Sequence, residues 1–283
     1  MMSGTLTKTP ANDAADEVAV DRFLIDTHCH LDDAAFADDL DQVLAASRAA
    51  GVNAWIQVGF EPARWQSSID LVERTPGMAL MLGVHPSSVD LWSPQVAAEL
   101  RRLVAAHGAV AIGEIGLDFF WDGNPSLETQ RAAFTAQLDL ARELGLPAVI
   151  HMRNAEDEIL TTLRGREPQP LLFHSYDGGP ALTDIILEWN AYVGVGGLAT
   201  KAKSDALREQ LLRIPLDRIV LETDSPYLIP ARMRGRRNTP ASVRRISEFL
   251  GTLRAESAAT IASITTTNAL NLFPMLSERV DLE

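Results

Sequence analysis

Arg22-Phe-Leu-Ile-Asp-Thr-His-Cys-His-Leu-Asp32 begins with a short apolar run and ends on two histidines separated by one residue. A run of this length bounded by polar residues reads as a buried strand. On extended backbone alternate side chains share a face, so His28 and His30 turn toward the interior and Cys29 toward the surrounding helices. The same grammar recurs downstream: Val110-Ala-Ile-Gly113 leads to Glu114, Pro147-Ala-Val-Ile150 to His151, Leu171-Leu-Phe173 to His174, and Arg218-Ile-Val-Leu-Glu-Thr223 to Asp224. Four of the chain's six histidines fall in this set. Six metal-capable side chains delivered by separate strand ends point to a two-metal hydrolytic centre.

Strands are expected near 22–27, 53–59, 78–84, 109–115, 147–152, 170–175, 191–195 and 218–223. Amphipathic helices are expected near 36–50, 62–74, 94–107, 126–144, 155–164, 180–189 and 203–212, with two more near 240–251 and 255–271. Pro94 and Pro180 suit first helical turns, Asn154 suits an N-cap, and Gly51, Gly108 and Gly145 stand where helices should stop. Regular strand–helix alternation predicts a (βα)8 TIM barrel, for which 283 residues are ample. Such a barrel brings the C-terminal ends of all its strands to one face, which explains how ligands distant in sequence meet. Residues 22–283 read as a single domain and residues 1–21 as a loose polar tail.

With 46% apolar residues the chain can fill a large core, yet no stretch approaches the roughly 18 apolar residues of a membrane span. A single cysteine rules out an internal disulfide and fits a cytoplasmic protein; no obligate protein partner is evident. The net charge of −13 argues against a protein that coats nucleic acid nonspecifically. Against that background Arg232, Arg234, Arg236, Arg237, Arg244 and Arg245 cluster soon after Asp224. A solvated arginine-rich loop is the bland reading; an anion-binding lip beside a metal site is the functional one.

Each motif has a plain alternative. His28 and His30 could be buried, hydrogen-bonded core histidines, Gly113-Glu-Ile-Gly116 a simple turn, and Asp224-Ser-Pro226 a turn cap. Arg153, two residues past His151 on the same strand face, is placed to hold a substrate phosphate, or else lies idle at the surface. His85, in Gly83-Val-His-Pro86, reaches the same barrel face and would touch substrate or support a ligand. His107 stands at a helix end and receives no function.

Taken together the segments resemble the TatD family of metal-dependent deoxyribonucleases, within the amidohydrolase-like barrels. The matching pieces are Asp26-Thr-His-Cys-His-Leu-Asp32, Gly83-Val-His-Pro86, Gly113-Glu-Ile-Gly-Leu-Asp118, Val149-Ile-His-Met-Arg153, Phe173-His-Ser175 and Glu222-Thr-Asp-Ser-Pro-Tyr227. Arg234-Gly-Arg-Arg-Asn238, Thr267-Asn268 and Leu272-Phe273 extend the likeness along nearly the whole barrel. The resemblance implies a distorted barrel with two divalent ions: His28, His30 and Asp224 at the first, Glu114 bridging, His151 and His174 at the second. It also implies Mg2+-dependent hydrolysis of DNA, often from the 3′ end. Two departures stand out: Tyr192-Val-Gly-Val-Gly-Gly197 carries glycines where such proteins commonly have serine, and Thr239 stands where an acidic residue is usual.

The expected reaction is therefore phosphodiester cleavage by a metal-activated water, with Asp224 and Glu114 catalytic and His85, Arg153 and Arg236 binding substrate. Imidazole-rich ligation favours Zn2+, Mn2+ or Fe2+, whereas the family points to Mg2+. Glu114→Ala and Asp224→Asn should abolish hydrolysis without unfolding, on the expectation that both residues face solvent-filled space. The rival is hydrolysis of a C–N or ester bond in a small metabolite or aminoacyl-tRNA, which the acidic surface would suit.

Overall fold

The computed structural model describes residues 23–280; the expected tail, residues 1–21, lies outside them. Eight parallel strands follow one another around a single sheet in chain order: β1 Leu24–Cys29, β2 Val52–Gly59, β3 Met78–Leu82, β4 Ala111–Asp118, β5 Ala148–Arg153, β6 Leu171–Phe173, β7 Tyr192–Val195 and β8 Ile219–Leu221. Helices α1 Leu40–Ala49, α2 Trp65–Arg74, α3 Pro94–His107, α4 Leu127–Leu144, α5 Glu156–Arg164, α6 Pro180–Trp189 and α7 Asp205–Arg213 alternate with the strands. Two helices, α8 Ser242–Arg254 and α9 Ala258–Leu272, follow β8.

Strand alternation sorts the core into two layers. Ala54, Ile56, Val58, Ala79, Met81, Val149, Leu172 and Val220 fill the barrel interior, while their chain neighbours pack against the helices. The floor is closed by the end of α9, where Ala269, Leu272, Phe273 and Leu276 join this inner layer. Asn268 Nδ2 donates to the carbonyls of Leu216 and Ile219 at 2.8 and 2.7 Å, and Thr266 Oγ1 to that of Phe23 at 2.8 Å. Those contacts give Asn268, Leu272 and Phe273 of the family-like motifs a structural role.

Side chains help close the seam between β1 and β8. Asp26 accepts from the Thr223 N–H at 2.9 Å and pairs with its hydroxyl at 2.6 Å, and Thr27 Oγ1 donates to the Leu221 carbonyl at 3.0 Å. Beyond the strands the backbone takes over, with Asp224 N–H on the His28 carbonyl (2.9 Å) and His30 N–H on the Ser225 carbonyl (2.8 Å). Asp26 is thus a closure residue, its carboxyl pushed up by burial to about 8. Asp32 is tied to Arg64 at 2.6 Å and to Gln57 at 2.8 Å, away from the histidines.

Several expectations need correction. β4 runs to Asp118 because it keeps pairing with β5 as far as Asp118 opposite Arg153, so Glu114 lies inside a strand and not at its end. Asn154 is no cap: it has φ 54°, and Ala155 takes the cap position without a side-chain bond. α1 begins at Leu40, because Asp33 nucleates a separate short turn over Ala34–Phe36. Gly108 and Gly145 do end α3 and α4, at φ 61° and 67°, where glycine bears no Cβ strain.

Candidate metal centre

The site is built from strand parity that has been reset twice. Ile25 belongs to the inner layer, so strict alternation would turn His28 outward; a register irregularity after Asp26 restores both histidines to the interior. Cys29 then faces the helices, its S–H on the Ile56 carbonyl at 3.4 Å. A second irregularity, between Gly113 and Ile115, turns Glu114 inward. Gly116, at φ 145°, allows β5 to come close: a Cβ there would lie 2.0 Å from the His151 carbonyl oxygen.

Glu114 is the hub. Its Oε1 lies 2.6 Å from His151 Nδ1, 2.7 Å from His174 Nε2 and 3.7 Å from His85 Nε2. Its Oε2 lies 3.3 Å from His28 Nε2 and 3.9 Å from His30 Nε2. Asp224 Oδ1 stands 3.2 Å from His30 Nε2 and 3.8 Å from His28 Nε2. The rings of His28 and His174 stack at 4.0 Å. Glu114 is only 4% exposed, which corrects the expectation of a solvent-facing residue: the histidine rings cover it.

Three ligand groups come out of this geometry: His28 with His174 and Asp224, His28 with His30 and Glu114, and His85 with Glu114 and His151. They share His28 and Glu114, so they form one continuous cluster. Both ring nitrogens of His28, and Nδ1 of His30 and His174, are buried without a hydrogen-bond partner. Leaving such atoms unpaired costs about 1–3 kcal/mol each. His151 Nδ1 and His174 Nε2 lie 3.2 Å apart with both aimed at one carboxylate oxygen. Convergent nitrogens, orphaned lone pairs and central carboxylates fit divalent cations.

Charge in the cluster is distributed as if protons held the place of cations. Burial opposes the ionised form of Glu114, yet His174, His85 and His151 outweigh it and hold the carboxyl well below its ordinary value. Burial likewise opposes charge on His174, but Glu114 and Glu222 raise it well above the ordinary range. Burial opposes charge on His30 and His151 too; Asp224 raises the first, and Asp118 with Glu114 the second. His28 is lowered by burial and by His174, and His85 falls to about 3 through burial and His151. His85 Nδ1 accepts the Ser87 N–H at 3.1 Å, so the neutral ring carries its proton on Nε2, toward Glu114.

Two carboxylates outside the expected ligand set support the histidines. Asp118 Oδ2 lies 3.3 Å from His151 Nε2. Glu222, fully buried, accepts the Ser175 N–H and sits 3.6 Å from His174 Nδ1. Gly194 makes room for it, since a Cβ there would fall 2.0 Å from Glu222 Oε2. That contact gives one departure in the glycine-rich stretch a physical reason. Both carboxylates neighbour ligands in sequence, Asp118 four residues after Glu114 and Glu222 two before Asp224, and that adjacency is the available signal.

The expected substrate residues divide. Arg153 sits on β5 beyond His151, with its guanidinium carbon 3.7 Å from the centre of the Phe120 ring. Arg236 is exposed and makes no hydrogen bond or ion pair among the described residues. Arg237 is committed to Asp39 at 2.5 Å, and Arg244 donates to the Ala50 carbonyl at 2.9 Å. His107 meets Glu73 at 2.9 Å, remote from the cluster.

The sequence matches the family model for TatD related DNase over residues 25–274. It is 33% identical over 252 residues to the metal-dependent hydrolase YabD of Bacillus subtilis, covering 88% of this chain and 98% of that one. It is 34% identical over 258 residues to the 3′-5′ ssDNA/RNA exonuclease TatD of Erwinia tasmaniensis, covering 88% and 99%. The crystal structure of YJJV, a TatD homologue from Escherichia coli K12, superposes with a TM-score of 0.83 at 30% identity, covering 90% of this chain and 99% of that one. With a matching barrel, a matching family model and relatives of this closeness over nearly their full lengths, the chain belongs to the TatD-related DNase family.

Proposed function

We propose that the chain is a divalent-metal-dependent phosphodiesterase that removes nucleotides from the 3′ end of DNA. The observation that carries this reading is the Glu114 hub, where five imidazoles converge on one buried carboxylate and leave buried ring nitrogens unclaimed. The nucleic-acid substrate is supported by the family and by relatives named as 3′-5′ ssDNA/RNA exonucleases. His28, His30 and Asp224 would hold one cation and His151 and His174 a second, with Glu114 shared. Mg2+, Mn2+ or Zn2+ bound there would activate a water and neutralise charge on the phosphate. Residues 22–283 act as one unit, at work in the cytoplasm.

The protein's own groups divide the remaining tasks. Asp224, at 15% side-chain exposure the most open of the six, takes the water's proton on its carboxylate and passes it to solvent. Asp118 and Glu222 keep the rings of His151 and His174 from turning. Arg153, on the strand that carries His151, binds the phosphate.

A second reading, hydrolysis of a C–N or ester bond in a small metabolite, draws on the net charge of −13 and on Arg236 standing free of the cluster. A single panel separates the two. The chelator-stripped protein, reloaded with each metal in turn, is offered end-labelled single-stranded DNA, duplex DNA, RNA, and small amides and esters. Metal-dependent release of mononucleotides from the 3′ end is the expected result. Cleavage of amides or esters alone would replace the first reading with the second.

A further inference from the structure

We propose that Phe120 and Trp121, with Arg153, form a base-stacking subsite that accepts an unpaired nucleotide beside the cleaved bond. The inference rests on the phosphodiesterase reading and names how that site grips its substrate. β4 and β5 project together beyond the shared register, and the loop leaving β4 continues this projection as Phe119-Phe120-Trp121. Core packing does not explain these side chains, since Phe120 is 46% and Trp121 59% exposed. Their rings meet edge to face at 4.8 Å, and the Arg153 guanidinium lies over Phe120 at 3.7 Å and 5.5 Å from the Trp121 centroid.

The platform is held firmly and tied to the cluster. Asp118 Oδ1 accepts the Phe120 N–H at 2.8 Å while its Oδ2 meets His151 Nε2 at 3.3 Å, so one carboxylate fixes both. Buried Gln130 brackets the same turn, accepting the Asp118 N–H at 2.8 Å and donating to the Pro125 carbonyl at 2.7 Å. Arg153 has no carboxylate partner among the described residues, although the chain carries 38 acidic side chains against 25 basic ones. A guanidinium left unpaired in so acidic a protein, lying against an aromatic face, is available to a phosphate from outside. Tyr227, 50% exposed and edge-on to His30 at 6.0 Å, offers a second aromatic surface past β8, across the ring from β4.

Stacking needs a free base face, which a duplex hides and an unpaired strand presents. The subsite therefore selects unpaired ends, with Arg153 holding the phosphate attached to the stacked base. The test compares an oligodeoxythymidylate of on the order of ten nucleotides with a strand of equal length carrying abasic residues only. With Mn2+-loaded protein, Trp121→Ala should raise KM for the thymidylate strand roughly 5- to 150-fold, leaving kcat and the abasic strand unaffected. Trp121→Phe should recover most of the loss, and Phe120→Ala should behave like Trp121→Ala. Unchanged KM in both alanine variants, or an equal effect on the abasic strand, overturns the subsite. If wild-type protein cleaves no phosphodiester, the hydrolytic reading falls and fluorescence anisotropy with labelled thymidylate decides the subsite. Binding weakened by Trp121→Ala then upholds it, and no binding by wild-type protein overturns it.

Discussion

Gly194→Ala adds one methyl group, and the structure places that methyl 2.0 Å from Glu222 Oε2 and 2.5 Å from its carboxyl carbon. Both are far inside contact distance, so the carboxylate or the β7 backbone must move. Taken alone, replacing glycine in extended backbone stabilises by about 0.4–1 kcal/mol through the unfolded chain. Overpacking a rigid core costs about 1–3 kcal/mol, and a displaced Glu222 also loses its charge-assisted bond to the Ser175 N–H. The clash wins. Net destabilisation should be on the order of 1–2 kcal/mol, or roughly 2–8 °C in melting temperature for a chain of this size. Because Glu222 stands 3.6 Å from His174 Nδ1, metal affinity should fall by roughly 10- to 100-fold as that ring loses support. Thermal unfolding and calorimetric Mn2+ titration read the two effects. The decisive control is the Glu222→Ala background, where the clashing group is gone and Gly194→Ala should become neutral or mildly stabilising. Gly194→Ala that melts with wild type and binds Mn2+ normally, or that is equally harmful without Glu222, would refute the reasoning.

Asp224→Asn should reduce phosphodiester turnover by roughly 10²–10⁴-fold with little change in substrate binding, measured as kcat and KM on single-stranded DNA; wild-type kcat would remove Asp224 from its role. His28→Ala should leave the metal-free protein as stable as wild type or more so, since it deletes an imidazole with two unpaired buried nitrogens, yet reduce stabilisation by Mn2+ through loss of the cation it helps hold. Differential scanning calorimetry with and without the ion tests that reversal, and metal stabilisation undiminished in the variant would contradict it. Asp26 in the fold titrates at about 8 against an ordinary 3.8, so the folded state binds the extra proton in between. Its contribution to stability is greatest at acid pH and is lost as pH rises from about 4 toward 8, at up to about 1.4 kcal/mol per pH unit. Urea unfolding across that window should show Asp26→Asn gaining on wild type as pH rises, and parallel curves would mean Asp26 is ionised throughout. Metal uptake must displace protons from His30, His151 and His174, whose affinities for protons are raised; Mn2+ binding should weaken steeply on acidification, and a pH-independent isotherm would contradict the assigned ligands.

Local chemistry made much of the barrel readable. α3 and α6 have the expected bounds because Pro94 and Pro180 fix their first turns, while Gly108 and Asn190 end them in left-handed backbone. Gly113 and Gly116 resemble a turn and shorten the expected β4, and only its pairing with β5 carries it to Asp118. The interior placement of His28 and His30 agrees with simple alternation by way of a register irregularity that no local pattern announces. Asp26, Asp32, Asp118 and Glu222 each stand within a few residues of a proposed ligand, and composition could not say which carboxylates close the seam, anchor a loop or buttress a ring. That division depends on what lies across the barrel, up to 197 residues away in the case of Asp26 and Thr223.

Cys29 stands between His28 and His30 in the chain, and its side chain is nonetheless on the far side of the sheet. Burial raises its thiol well above the ordinary value, and nearby Asp26 and Asp32 add to the effect. The centre consequently presents nitrogen and oxygen donors, with the chain's one thiol walled off behind β1. A soft ion such as Cu+ finds no thiolate to capture it there, and a peroxide reaching the ligands meets no thiol. The irregularity after Asp26 thereby filters which elements the pocket can attract.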